Sequence, residues 1–154
     1  MLYYSNQKDV GAVGGVILGQ DGVVQEAGIA VNNRSIAEPM WRGQPGDSKD
    51  WFGSLACAHE VSAIGGACLM VRRDLFLEVD GFNTSFTTAL YDVDFCLQLS
   101  AINKRNIFTP RARFLRREPA IADPPVSSAD RALFEDRWHD ALVSGDRYYR
   151  PSSG

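Results

Sequence analysis

The architecture of this chain follows from the sequences EVSAIGGACLMVRRDLFLEVDGF at residues 60–82 and YDVDFCLQLSAINK at residues 91–104. Its first part, residues 60–71, is apolar and predicts the strongest buried strand in the chain. Gly65 and Gly66 interrupt that strand, and glycine inside a strand lets a ligand or another backbone approach closely. We expect this strand to lie at the centre of a sheet.

Two helices are predicted after this strand. Arg73-Asp74 opens a short helix that runs to about Val79, and Asp80-Gly81 ends it. Residues 83–90 predict a polar loop. Residues 92–104 carry apolar side chains at helical spacing, which predicts an amphipathic helix.

The segment before the decisive stretch predicts a hairpin and a loop. Residues 10–18 (VGAVGGVIL) and 23–31 (VVQEAGIAV) are apolar enough to form strands, and Asp21-Gly22 between them is a strong turn signal. We expect these two strands to pair antiparallel. Residues 32–50 are rich in Asn, Gly, Pro and charge and predict a long loop, a feature that often carries function.

The segment after it predicts one more strand and a C-terminal helix. Residues 106–114 are broken by Pro110, which favours an edge strand or a bulge. Ser127-Ser128-Ala129-Asp130 is similar to a capping box and begins a helix that extends to about Val143, within a helical segment at 126–145. Residues 1–154 are therefore expected to form a single α/β domain, with a mixed β-sheet flanked by helices.

Composition excludes several classes of protein. The net charge of −3 argues against a dedicated nucleic-acid binder, which usually has a basic face. No apolar run reaches the roughly 18 residues needed to cross a bilayer, and no signal peptide is evident. Three cysteines at wide spacing do not form a disulfide framework, so we expect reduced thiols in a cytosolic protein. Cys57-Ala58-His59 is too small a set for a zinc site, and we expect no metal site in this chain.

The order and spacing of the motifs resemble those of family 2 glycosyltransferases of the GT-A fold, especially rhamnosyltransferase-like enzymes of bacterial surface polysaccharides. The resemblance covers roughly residues 8–118. Its motifs are VGAVG at 10–14, DGVVQEAG at 21–28, WRG at 41–43, WFG at 51–53, GGACLMVRR at 65–73, VDGF at 79–82 and YDVDFCLQL at 91–99.

The resemblance implies that this chain is the C-terminal, acceptor-side part of such an enzyme. The family begins with a nucleotide-binding half that carries a metal-holding D-x-D, and neither is found upstream here. We therefore expect a piece cut from a longer enzyme or a truncated gene product. The full-length enzyme would use Mg²⁺ or Mn²⁺, a nucleotide sugar and a saccharide or lipid-linked acceptor. It would act in the cytoplasm or at the inner face of the membrane. Peripheral association of the enzyme with the membrane would suit a lipid-linked acceptor.

The resemblance assigns Asp92 as the catalytic base of an inverting sugar transfer. A carboxylate serves as base when it lies within hydrogen-bond reach of the acceptor hydroxyl. The alternative is that Asp92 only caps the helix that follows, a position that Asp favours. Asp92-Val93-Asp94 also spells D-x-D, but its place at a helix start fits the acceptor-side motif better, with Asp94 bonding nearby backbone or positioning the acceptor.

The resemblance also implies substrate-binding residues. It places the Gly65-Gly66-Ala67 turn beside the donor sugar and its diphosphate, whereas the alternative is tight packing against a neighbouring strand. Trp41 and Trp51 have apolar faces that suit a sugar ring, and they also suit a core beneath a loop.

Arg116 and Arg117 depart from the family pattern. The family usually has a histidine there, a candidate metal ligand, whereas arginine cannot bind a cation but can neutralise a diphosphate directly. The departure alters metal dependence or marks a non-catalytic sugar-binding or assembly module, which is the alternative function. We expect the chain alone to lack transferase activity and to form a homo-oligomer, because the missing half leaves apolar sheet surface to cover.

Overall fold

The computed structural model describes residues 1–48, 55–117 and 125–149, in which a mixed sheet is flanked by helices. The strands are β1 (Val10–Leu18), β2 (Val24–Glu26), β3 (Ile29–Asn32), β4 (Ile36–Pro39), β5 (His59–Val61), β6 (Leu69–Val71) and β7 (Arg105–Leu115). The helices are α1 (Leu2–Ser5), α2 (Arg73–Glu78), α3 (Tyr91–Ala101), α4 (Ser128–Arg137) and α5 (His139–Ser144). The predicted α/β class with a mixed sheet is confirmed.

The main sheet is built around β1 and β7. Its order is β2-β1-β7-β5, and β6 pairs with β1 as well. The β1–β7 pair is parallel, whereas β2 and β6 on β1 and β5 on β7 are antiparallel. A two-stranded sheet of β3 and β4 stands beside it. The predicted antiparallel hairpin of the first two strands is therefore confirmed, although Gly28, at φ 92°, divides the second strand into β2 and β3.

The prediction of one central strand at 60–71 is wrong. Its two ends form β5 and β6, and a short 3₁₀ turn at Gly66–Cys68 precedes β6. The backbone N–H groups of Gly65 and Gly66 bond to side chains instead of a neighbouring strand. Because these donors are removed from any ladder, the strand breaks at the glycines.

The strand predicted at 106–114 is found as β7, an interior strand with a bulge, which is one of the two alternatives that Pro110 left open. β1 advances from Gly14 to Val16 while β7 advances from Phe108 to Arg113, which places Pro110 in the irregular stretch. The predicted loop at 32–50 contains β4, and the C-terminal helix is divided at Trp138.

The core lies between the main sheet and α3. Phe95 and Leu99 of α3 are fully buried, as is Phe108 of β7. Asn106 is also buried and bonds to four groups around it: its Oδ1 accepts from Ala12 N, and its Nδ2 donates to Ser62 O, Cys96 O and Ser100 Oγ. This single side chain therefore joins β1, β7 and α3 to the segment that leads into the glycine turn.

Candidate functional site

The turn at residues 65–67 is held by two carboxylates from different elements. Gly65 N donates to Glu26 Oε1 at 3.0 Å, and Gly66 N donates to Asp92 Oδ2 at 2.6 Å. A Cβ built on Gly65 would clash with the Glu26 carboxylate, so a larger residue there would require that side chain to move away from the turn. Gly65 is buried, whereas Gly66 and Ala67 are exposed. The turn thus presents a fixed stretch of backbone to solvent between two acidic side chains.

Asp92 lies in the first turn of α3. The helix begins at Tyr91 with Leu90 as its N-cap, so Asp92 is not the cap residue that the alternative interpretation made it. Its carboxylate instead reaches the glycine turn through Oδ2, while Oδ1 accepts from Val93 N at 2.9 Å. An acidic side chain in the first turn is favoured by the helix dipole. The side chain is half-buried, so it is fixed in place and still reachable from solvent.

Two partly exposed aromatic rings lie beside the 65–67 turn. Tyr91 and Phe82 are each 38% exposed, and their ring centroids are 5.4 Å apart in an edge-to-face arrangement. Buried Phe95 supports Phe82 from behind at 5.1 Å. A Cβ on Gly66 would lie 3.3 Å from the Tyr91 hydroxyl, which places that ring directly against the turn. Backbone amides, a carboxylate and exposed aromatic surface therefore meet in one place.

The loop before α3 is fixed by Asp130 of α4, which is 1% exposed. Its carboxylate accepts from the backbone N–H groups of Thr87, Thr88 and Ala89 and from both threonine hydroxyls, at 2.6 to 3.2 Å. These bonds hold the pKa of Asp130 well below its usual range. The bond from the Thr88 hydroxyl contributes most to this lowering, and the bond from Thr87 N contributes next. The predicted cap is present as well, since Ser127 Oγ accepts from Asp130 N at 3.0 Å.

Asp94 is completely buried and lies away from the turn. Its Oδ1 accepts from Trp138 Nε1 at 2.8 Å and pairs with Arg137 Nε at 2.8 Å, and its Oδ2 accepts from Gln98 Nε2 at 2.7 Å. The structure therefore places Asp94 between α3 and the α4–α5 junction. Any influence on a ligand has to pass through these contacts.

Cys96 fixes the segment that enters the turn. Its thiol lies against the backbone of Ile64, whose N–H is 3.3 Å from Sγ. Burial raises the pKa of this thiol, so it stays protonated and unreactive. All three cysteines lie in the described residues and are free, as expected.

Trp41 packs in the core and makes none of the contacts described at the 65–67 turn. Its backbone has φ 63°, and its ring meets Tyr149 edge to face at 6.1 Å. Its Nε1 is buried with no hydrogen-bond partner among the described residues. The ring packs against the main core, which agrees with the core interpretation. Trp51 lies outside the described residues.

Arg116 and Arg117 follow the end of β7, at the carboxyl end of β1. Arg116 N donates to Leu18 O at 2.8 Å, and Arg117 O accepts from the side chain of Gln20. Glu26 lies opposite Ile17 at the same end of the sheet. Within the described ranges neither guanidinium forms a hydrogen bond or ion pair, so neither is brought into contact with the glycine turn.

The structure thus joins some predicted residues and separates others. Gly65, Gly66, Ala67 and Asp92 come together, whereas Asp94, Trp41 and the two arginines do not join them. Sequence reasoning assigned no role to Glu26, Phe82 or Tyr91, and it placed Asp130 only in the capping box of α4. Phe82 and Tyr91 were within the quoted motifs, but no local pattern connects Glu26 or Asp130 to residues some 40 positions away.

The described residues do not supply a site for the divalent cation that the resemblance implies for a longer enzyme. No three His, Cys, Asp or Glu side chains within residues 1–48, 55–117 and 125–149 converge as ligands. Asp92 and Asp94 bond in different surroundings. No chemical step is therefore assigned to a metal held by these residues.

Two curated proteins are similar to this chain. The uncharacterized protein y4gI of Sinorhizobium fredii (strain NBRC 101917 / NGR234) is 31% identical over 135 residues, which span 87% of this chain and 15% of that protein. The O-antigen biosynthesis protein RfbC of Myxococcus xanthus is 32% identical over 155 residues, 98% of this chain and 12% of that protein. The chain thus spans less than a sixth of either relative.

No family model and no solved structure matches the chain. Within the described parts of the chain, every helix is too short or too polar to cross a membrane.

Proposed function

We propose that this chain is the acceptor-side, base-carrying part of an inverting glycosyltransferase of the GT-A fold, family 2, that acts in bacterial surface polysaccharide synthesis. The observation that carries the proposal is the contact between Asp92 Oδ2 and Gly66 N at 2.6 Å, beside an exposed turn. It fixes a reachable carboxylate next to solvent-facing backbone, an arrangement that general-base chemistry needs. The O-antigen biosynthesis name of the Myxococcus xanthus relative supports the polysaccharide context.

The proposed reaction transfers one sugar with inversion. Asp92 takes the proton of an acceptor hydroxyl, and the hydroxyl oxygen forms a bond to the anomeric carbon of the donor. The bond from that carbon to the nucleoside diphosphate breaks, and the diphosphate leaves with the electron pair. The 65–67 turn would face the donor sugar, and Arg116 or Arg117 would neutralise the diphosphate with paired hydrogen bonds.

The remaining parts of the reaction belong to the rest of the proposed enzyme. A nucleotide-binding half would bind the donor together with Mg²⁺ or Mn²⁺, which stabilises a leaving diphosphate. The acceptor would be a saccharide or a lipid-linked saccharide, met in the cytoplasm or at the inner face of the membrane. The 154-residue chain by itself is expected to show no transfer.

The proposal is tested by Asp92→Asn in an enzyme in which this chain is joined to a nucleotide-sugar-binding half. Because the amide cannot accept the proton, we expect the transfer rate to fall by about a hundredfold or more, while donor affinity stays unchanged. Asp74→Asn is the matched control, since Asp74 is an exposed carboxylate on α2, and it should transfer at the normal rate. Near-normal turnover by Asp92→Asn contradicts the assignment of the base.

A non-catalytic sugar-binding or assembly module is the second candidate. Arg116 and Arg117 favour it, because they stand where the resembling family tends to have a metal-ligating histidine. Three results together would support this candidate over the first. A saccharide would bind at the 65–67 turn, Asp92→Asn would leave that binding unchanged, and no enzyme joined to this chain would transfer a sugar.

A further inference from the structure

The strongest polar cluster outside the proposed base surrounds Asp130. Its carboxylate lies on α4 and accepts five hydrogen bonds from Thr87, Thr88 and Ala89, more than forty residues earlier in the sequence. A carboxylate 1% exposed to solvent is costly to bury unless it is fully hydrogen-bonded, and this one is. The three consecutive residues are therefore held in one conformation by a single side chain.

The held segment leads directly into the first turn of α3. Leu90 follows Ala89 with φ 70°, a left-handed conformation that a leucine adopts only when its surroundings impose it. Leu90, the N-cap residue of α3, makes no side-chain capping hydrogen bond. The direction in which α3 begins, and with it the position of Asp92, therefore depends on the backbone at 87–89.

The other side of the cluster is equally fixed. Ser127 N donates to Thr88 Oγ1 at 3.3 Å, and Ser127 Oγ accepts from Asp130 N at 3.0 Å. Fully buried Phe134 of α4 meets Phe86 at 6.3 Å. Because α4 is locked against the loop by apolar and polar contacts, Asp130 transmits the placement of α4 to the start of α3.

We propose that Asp130 is a positioning residue for Asp92, which it holds at hydrogen-bond distance from Gly66 through the 87–90 backbone. The catalytic meaning of this link rests on the proposed function, but the link itself does not. Its physical reason is that three backbone N–H groups converge on one anionic acceptor, and a neutral group of the same size cannot satisfy them all.

The test measures the Gly66 amide by NMR in the 154-residue chain. With Asp130→Asn we expect the Gly66 resonance to lose its downfield shift and its hydrogen-exchange protection to fall by about tenfold or more. Asp136→Asn, an exposed change on the same helix, is the control and should leave that resonance unchanged. A folded Asp130→Asn chain with normal Ala12 amide protection and an unchanged Gly66 amide overturns the proposal.

A second variant covers the case in which Asp130→Asn fails to fold. Thr88→Val removes the 2.6 Å hydroxyl bond to Asp130 and the 3.3 Å bond from Ser127 N, and it keeps the backbone bonds to the Asp130 carboxylate. We expect a smaller change of the Gly66 amide in the same direction, and no change in this variant overturns the proposal as well. In the joined enzyme, Asp130→Asn should lower kcat and leave the donor KM unchanged. If the Gly66 amide responds but kcat does not, the positioning link stands and the assignment of Asp92 as base fails.

Discussion

Asp92 and Asp94 stand two positions apart on α3 and have opposite surroundings. Asp92 is half-buried and accepts hydrogen bonds from the backbone amides of Gly66 and Val93. Asp94 is fully buried among Gln98, Arg137 and Trp138. Residues two apart on a helix do not share a face, so one short acidic motif serves two places at once. The motif therefore combines a candidate chemical group with a structural one.

The largest expected effect that separates the two is on stability. Asp94→Ala removes the acceptor of three donors, one of them the indole of Trp138, and should lower the free energy of unfolding by about 3 kcal/mol. Asp92→Ala leaves the exposed Gly66 amide to water and should cost less than about 1 kcal/mol. Urea unfolding of both variants measures the two losses of unfolding free energy, and equal losses would contradict the expected difference between Asp92 and Asp94.

A smaller effect is expected from acid, and it sharpens the role of the buried carboxylates. The folded pKa of Asp130 is lowered, so its contribution to stability is fully present above the unfolded pKa of about 3.9 and is lost as pH falls below it. Urea unfolding between pH 5 and pH 3 should show this loss, and Asp130→Asn should weaken the pH dependence. The dependence should persist in Asp136→Asn. An identical slope in all three proteins contradicts the expectation.

The smallest effect concerns the arginine end of β7, which differs from the turn because its guanidinium groups have no fixed partner among the described residues. In the joined enzyme, Arg116→Lys or Arg117→Lys should weaken nucleoside diphosphate binding by roughly threefold, since lysine keeps the charge but loses the paired hydrogen bonds. Titration calorimetry measures the change, with Arg111→Lys as the control, since Arg111 is an exposed arginine earlier on β7. Unchanged affinity in both variants would identify the two residues as solvated surface charges.

Elements governed by local pattern were predictable from the sequence. The strand at 10–18 was predicted with its observed bounds, and the helices at 73–79 and 92–104 differ from α2 and α3 by only a few residues at their ends. Apolar periodicity and the Asp80-Gly81 stop decide these elements. The strand at 60–71 was wrong because its pattern does not reveal that the Gly65 and Gly66 amides bond to distant carboxylates.

The candidate site was predictable only in part. The resemblance assigned Asp92 as the base and placed the glycine turn beside the donor, and the structure shows Asp92 and the turn in contact. Glu26 and Asp130 were missed because side-chain bonds to remote backbone leave no periodic trace in the sequence. Whether Asp94, Trp41, Arg116 and Arg117 bind substrate stays a prediction for binding experiments.

The bond network of Asp130 bears on how segments of this chain can be exchanged with those of a relative. Residues 83–92 and 127–138 lie far apart in the chain but are interlocked through Thr87, Thr88 and Ala89. A chimera that exchanges only the first segment with a relative would pair a foreign loop with the resident helix. The two segments therefore form one unit of exchange. A single recombination breakpoint between 93 and 126 separates them, so a chimera has to take both segments from the same parent.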